Sequence, residues 1–126
     1  MILAVIYDDK TFHHERGGYA MIVVKVNPGI CGFPTVIKLN GKNRHTVEVL
    51  MQTECPNLQP MSEELKEVDA FKECFAKVGE SPVFQLARRH CKHAACPVPT
   101  AILKGVEAAA KLALPKNVEI EIRAED

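Results

Sequence analysis

Tryptophan is absent, and aromatic residues make up only 6% of the chain. The interior must therefore rest on aliphatic side chains. Net charge is absent as well: 16 Lys and Arg residues offset 16 Asp and Glu residues. That balance excludes a strongly basic nucleic-acid binder and an acidic disordered tail. It leaves a small molecule or another protein as the partner class. No apolar run approaches the roughly 18 residues that a membrane helix requires, so no membrane span is expected. The amino end, Met1 to Tyr7, is apolar but runs straight into Asp8-Asp9. It lacks a basic lead-in, a long apolar stretch and a small-residue cleavage site, so a secretory signal is not expected. A cytoplasmic location follows as the expectation, where thiols stay reduced. Catalytic signatures are also missing. Gly17-Gly18 lacks the Lys-Ser/Thr and following helix of a phosphate loop, no nucleophilic serine elbow occurs, and no carboxylate pair stands out.

Five cysteines are present in 126 residues. A chain of this length buries roughly 65–70% of its unfolded surface, so it needs neither disulfides nor a metal merely to fold. The odd count argues against a closed disulfide framework. Metal binding, thiol chemistry and simple burial are the three readings left for the thiols.

The organisation reads as one α+β domain over 21–126, with 1–20 as an amino-terminal extension or an extra edge strand formed by Ile2–Tyr7. Met21-Ile22-Val23-Val24-Lys25-Val26 is rich in β-branched residues and predicts a strand. Asn27-Pro28-Gly29 breaks it, with Gly29 suited to a type II turn. Thr35 to Leu39 resumes extended structure, and Asn40-Gly41 is a hairpin signal. The returning strand, about His45 to Gln52, places Val47, Val49 and Met51 on one face. The period then changes to 3.6. Ser62 is a candidate N-cap, and Leu65, Val68, Phe71, Phe75 and Val78 share one helical face. Gly79 would end that helix. Ser81-Pro82 opens a second helix, with Arg88, Arg89 and His90 at its carboxyl end. A third follows Pro97-Val98-Pro99, with Ile102, Leu103, Val106, Ala110 and Ala113 on its apolar face. Val118-Glu119-Ile120-Glu121-Ile122-Arg123 alternates cleanly and predicts a final strand. Strands, then helices, then a strand imply a two-layer sandwich: a mostly antiparallel sheet of about four strands with about three helices.

Cys74 falls on the apolar stripe of the first expected helix and reads as core. Cys31 sits between Gly29 and Gly32, where backbone N–H groups can approach a sulfur closely. Cys55 precedes Pro56 at a strand exit. If both strand ends share one edge of the sheet, Cys31 and Cys55 converge. Cys96 precedes Pro97-Val98-Pro99 at a helix amino end, where the dipole and free N–H groups favour thiolate. Cys91 and His93 lie just upstream. The Cys91-x4-Cys96 spacing, with His90 and His93 beside it, gathers sulfur and imidazole ligands without matching a zinc ribbon or a ferredoxin run. His90 fits a capping role. His13-His14 lies on a polar stretch and His45 begins a strand.

Pro28-Gly29-Ile30-Cys31-Gly32-Phe33, Cys55-Pro56, Ala95-Cys96-Pro97-Val98-Pro99-Thr100-Ala101-Ile102-Leu103-Lys104 and Leu112-Ala113-Leu114-Pro115 carry a resemblance. Together they make the stretch from about Met21 to Ile122 resemble an uncharacterised family of small cytosolic proteins of anaerobic prokaryotes. That resemblance implies no established activity, only a metal or iron–sulfur role. Locally, Cys96-Pro97-Val98-Pro99 on a helix carrying Lys104 is similar to the motif of small sulfur-carrier proteins, which implies a persulfide on Cys96. This chain departs from those carriers in its length, in the late position of the motif and in its extra thiols.

Three functions follow in order. The first is a metal-binding protein holding an iron–sulfur cluster or zinc through Cys31, Cys55, Cys91 and Cys96, with His93 as substitute. The second is a structural or interaction domain whose cysteines only pack. The third is a carrier or enzyme in which Cys96 is the catalytic thiol. A homo-oligomer is compatible with each, because the last strand, Val118–Arg123, leaves a sheet edge that could pair with another subunit, although its alternating charges discourage that pairing.

Overall fold

A computed structural model describes residues 21–125. The candidate strand Ile2–Tyr7 and the His13-His14 pair lie outside the described residues. Four strands form one antiparallel sheet in the order β1-β2-β3-β4: β1 is Met21–Val26, β2 Thr35–Gly41, β3 Thr46–Thr53 and β4 Glu67–Asp69. Four helices accompany it: α1 Leu58–Glu64, α2 Ala70–Cys74, α3 Pro82–His90 and α4 Val98–Ala109. The fold is α+β.

Strand alternation sets the layers. Ile37 and Leu39 of β2 and Val47, Val49 and Met51 of β3 are buried in the core. Each strand's side chains alternate between faces, so these five point one way. They meet Leu58 and Met61 of α1, Val83 and Ala87 of α3, and Ile102, Val106 and Ala109 of α4 in a single cluster. The β2–β3 turn is made at residues 42–45, beyond Asn40-Gly41. Asn40 and Gly41 stay in β2, opposite Glu48 and Val47. Asn43 forms the turn instead: its side-chain oxygen accepts from the amides of His45 and Thr46, each at 2.9 Å. The Asx turn defeats the dipeptide signal because the strand pairing extends through Gly41.

The long helix expected from Ser62 to Val78 is replaced by α1, β4 and α2. Asp69 is the reason. Its carboxylate accepts from the amides of Phe71 and Lys72 at 3.0 and 3.2 Å, starting a new helix there. Leu65 and Val68 are buried as expected, but Phe75 and Val78 are 72% and 100% exposed. Gly79 does take a positive φ of 82°, in a turn beyond α2. The Ser81 N-cap, accepting from Phe84, and Pro82 at the start of α3 stand as expected.

The final strand is absent among the described residues. Val118, Ile120 and Ile122 are 62%, 74% and 90% exposed and pair with no strand. The alternation is real, but no described sheet edge in the same chain receives it. No described helix is long and apolar enough to cross a membrane.

Candidate functional site

The sheet register gathers the cysteine-bearing loops. Val26 pairs with Thr35, and Thr35 pairs with Thr53. The β1–β2 loop carrying Cys31 and the exit of β3 carrying Cys55 therefore occupy the same end of the sheet. The hydroxyls of Thr35 and Thr53 share a 2.9 Å hydrogen bond there.

Backbone bonds on both sides fix Cys55. Its N–H donates to the Thr53 hydroxyl at 3.1 Å. Its carbonyl accepts from Leu58 and Gln59, each at 3.0 Å, and so closes the first turn of α1. Cys91 ends α3, its N–H donating to the Ala87 carbonyl at 2.7 Å. One carbonyl then organises the turn to α4. The oxygen of His93 accepts from the Cys96 N–H at 3.1 Å and from the Cys91 thiol at 3.7 Å. Pro97 is the N-cap of α4, and its carbonyl accepts from Ala101 at 3.0 Å.

Cys55, Cys91 and Cys96 are half-buried and pack against the core cluster. The Cys96 thiol has Cys91 as a hydrogen-bond neighbour and lies within electrostatic reach of Cys55. Burial pushes the Cys96 thiol up to about 11. The Val98 N–H opposes that shift, while a hydrogen bond with Cys91 and the charges of Cys91 and Cys55 add to it. The expected thiolate-favouring effect of the helix amino end is thus present in the Val98 N–H but outweighed. Removal of the sulfur from water costs the charged form more than one N–H donor returns. Cys96 is a protonated thiol at neutral pH, which corrects the expectation of a depressed value.

The other expected ligands stand apart. Cys31 is exposed, in a turn closed by Gly32 N–H to Gly29 O at 3.0 Å, with φ of 90° at Gly29 and 72° at Gly32. His93 is exposed, and it serves the turn through its backbone carbonyl. Among the described residues, no group of three or more His, Cys, Asp or Glu side chains is preassembled to hold a metal ion. His90 is engaged elsewhere: its imidazole pairs with Glu64, which also meets Arg89 at 3.6 Å, tying α3 to α1. Cys74 is half-buried beside the core, and burial pushes its thiol up to about 11, helped by the charges of Glu107 and Glu73.

A second feature escaped sequence reasoning. An open cleft of about 890 Å³ lies between β4, α2 and α3, lined among others by Asp69, Lys72, Glu73, Arg88 and Arg89. It holds none of the cysteines. Its charged lining is scattered over four elements, Glu64 of α1 included, so no local motif marks it.

The fold and this end of the sheet define a small α+β protein with a thiol cluster where strand exits meet a helix amino end. The chain belongs to the family of unknown function DUF6951, whose model matches residues 22–122. No curated protein and no solved structure matches it.

Proposed function

We propose that this protein binds a thiophilic metal centre, zinc or an iron–sulfur cluster, through Cys55, Cys91 and Cys96. Cys31 or His93, at the same end, supplies the further ligand. The observation that carries the reading is that Cys96 has two further free thiols, Cys91 and Cys55, within its hydrogen-bonding or electrostatic reach, each delivered by a different element. In the metal-free chain the ionisation of Cys96 is opposed by burial and by its neighbours Cys91 and Cys55. A bound cation reverses that balance, because a coordinating thiol is deprotonated outright. The ligands are not preassembled, so binding draws the 91–96 turn and the Cys31 loop inward. A reducing cytoplasm, and the anaerobic setting that the sequence resemblance implies, would keep such thiols available. The high value for Cys96 speaks against the persulfide-carrier alternative, which needs an accessible thiolate.

The test is anaerobic purification with measurement of iron, zinc and sulfide per chain. Cobalt titration of the reduced, metal-free protein follows. One equivalent of cobalt with thiolate-to-metal absorption is expected. Cys55→Ser, Cys91→Ser and Cys96→Ser each weaken it, whereas Cys74→Ser leaves it intact. Iron with matching sulfide assigns a cluster, and zinc without colour assigns a zinc site. A metal-free protein that takes up no cobalt overturns the proposal.

A further inference from the structure

The short strand β4 faces the open cleft with backbone groups that no neighbouring strand uses. Among the described residues β4 pairs only with β3, Val68 standing opposite Val47. Two bonds bracket that pair: Val49 N–H donates to Lys66 O at 2.8 Å, and Ala70 N–H donates to His45 O at 2.6 Å. In an antiparallel ladder, alternate residues turn their backbone groups toward the partner strand. Lys66, Val68 and Ala70 are the residues that face β3. Glu67 therefore directs its N–H and C=O the other way, and Asp69 its N–H. All three residues of β4 line the cleft of about 890 Å³, and α3 forms its opposite wall.

The rest of the cleft has a definite chemistry. Its floor is apolar, made by the buried Leu65, Val68 and Val83. Most of its carboxylates are already engaged. Glu64 meets Arg89 and His90, Asp69 accepts from the amides that open α2, and Glu73 accepts from the Val83 N–H. Glu67 projects from the face of β4 opposite the buried Val68. The cations Lys72 and Arg88 are exposed and meet no carboxylate among the described residues. The cleft thus joins strand-edge donors and an acceptor, an apolar floor, and two cations without counter-ions.

We propose that this cleft binds a short, extended, acidic peptide, which adds as a further strand to β4 and lies against α3. A main chain is the occupant because it carries donors and acceptors at strand spacing, the complement of Glu67 and Asp69. Side chains of an added strand alternate, so residues two apart share the face toward α3. One of them, apolar, covers the floor, and the other, acidic, meets Lys72 and Arg88. The edge is only three residues long, so it suits a short segment rather than a neighbouring sheet. The cleft holds none of the cysteines, and the proposal is independent of the metal reading.

The test follows backbone amide shifts of the isotope-labelled full chain during titration with acetyl-Thr-Val-Thr-Glu-Thr-amide. Saturable shifts centred on Glu67, Asp69 and α3 are expected. Two N-methylated versions decide the mode: one methylated at Val and Glu, the other at the two Thr that follow them. Only one of these sets faces β4, so one version should bind about tenfold or more weaker than the other. Replacing the peptide's Glu by Lys should weaken binding several-fold, as should Lys72→Gln combined with Arg88→Gln, two exposed positions where the fold is retained. Cys96→Ser should leave binding unchanged. No shift at millimolar peptide overturns the proposal, and so do shifts centred elsewhere. Equal binding of the two N-methylated versions overturns the strand addition, and equal or tighter binding of the Lys peptide overturns the acidic partner. Glutarate giving the same shifts at the same concentration would assign the cleft to a small organic acid and overturn the peptide.

Discussion

Glu73 is a carboxylate with only 2% of its surface exposed. It accepts from the Val83 N–H at 3.0 Å, beside the Ser81 N-cap, and so serves the amino end of α3 from across the chain. Burial raises its pKa above the ordinary carboxylate range. The Val83 and Ser81 hydrogen bonds offset part of this, and the Asp69 charge adds to it. The folded state therefore favours the neutral acid. Its stabilising contribution is fully present below the ordinary value and is lost as pH rises through the raised one. Glu73→Gln keeps an acceptor and removes the charge. The variant should gain thermal stability relative to the parent as pH rises above the ordinary carboxylate value, as followed by circular-dichroism melts. Glu73→Ala leaves the Val83 N–H buried without an acceptor and should cost about 1–3 kcal/mol. A Gln variant whose deficit grows with pH would mean that the ionised carboxylate is the form the fold prefers. Cys96 obeys the same arithmetic with a different partner. Its helix-terminal position was legible in Cys96-Pro97-Val98-Pro99, but its protonation was not. Desolvation depends on what Cys55 and Cys91 bring from distant parts of the chain, and spacing along the chain is silent on that.

At the scale of elements, α4 is held against the sheet by an absence. A Cβ at Gly105 would stand 2.5 Å from Leu39 Cδ1 and 2.8 Å from Val24 Cγ2. Leu39 is fully buried and has no room to yield. In a helix interior Gly costs about 1 kcal/mol relative to Ala, so Gly105→Ala gains propensity. Overpacking costs typically about 1–3 kcal/mol, and the buried Leu39 puts this site at the upper part of that range. The net expectation is a lower melting temperature for Gly105→Ala and a larger loss for Gly105→Val, read by chemical denaturation. An Ala variant more stable than the parent would show that α4 can lift off β1 and β2 at little cost. Elements were legible wherever local chemistry and tertiary packing agreed. The β1 and β3 patterns, and Ser81-Pro82 ahead of α3, are examples. The run Leu65, Val68, Phe71, Phe75 and Val78 misled because its helical spacing is incidental. Leu65 and Val68 are buried from an α1 C-cap and a strand, while Phe75 and Val78 face water. Asp69, an N-cap in mid-pattern, was the signal that divides it. Val118–Arg123 misled differently: its strand pattern is intact, and what is missing is a pairing with any strand of the described sheet.

For the molecule as a whole, the thiol end ties function to stability. Cys55 closes the start of α1, Cys91 ends α3, and Cys96 precedes α4. A metal joining the three would therefore join β3, α1, α3 and α4 at one point, and its binding free energy would enter the folding equilibrium directly. A ligand at a hundred times its dissociation constant adds about 2.7 kcal/mol when the unfolded chain does not bind it. Unfolded cysteines bind metal weakly, so the realised gain is somewhat smaller. Zinc or cobalt at that excess should raise the melting temperature by several degrees, and a chelator should reverse the rise. Cys96→Ser should remove the response while altering the metal-free melt little, because the half-buried Ser keeps the Val98 N–H as a partner. Equal melting curves with and without metal, in a chain that still binds cobalt, would confine the ions to the exposed Cys31 loop and His93 and exclude the three structural thiols as ligands. A metal response that survives in Cys96→Ser but fails in Cys55→Ser would move the site toward the sheet end and away from α4.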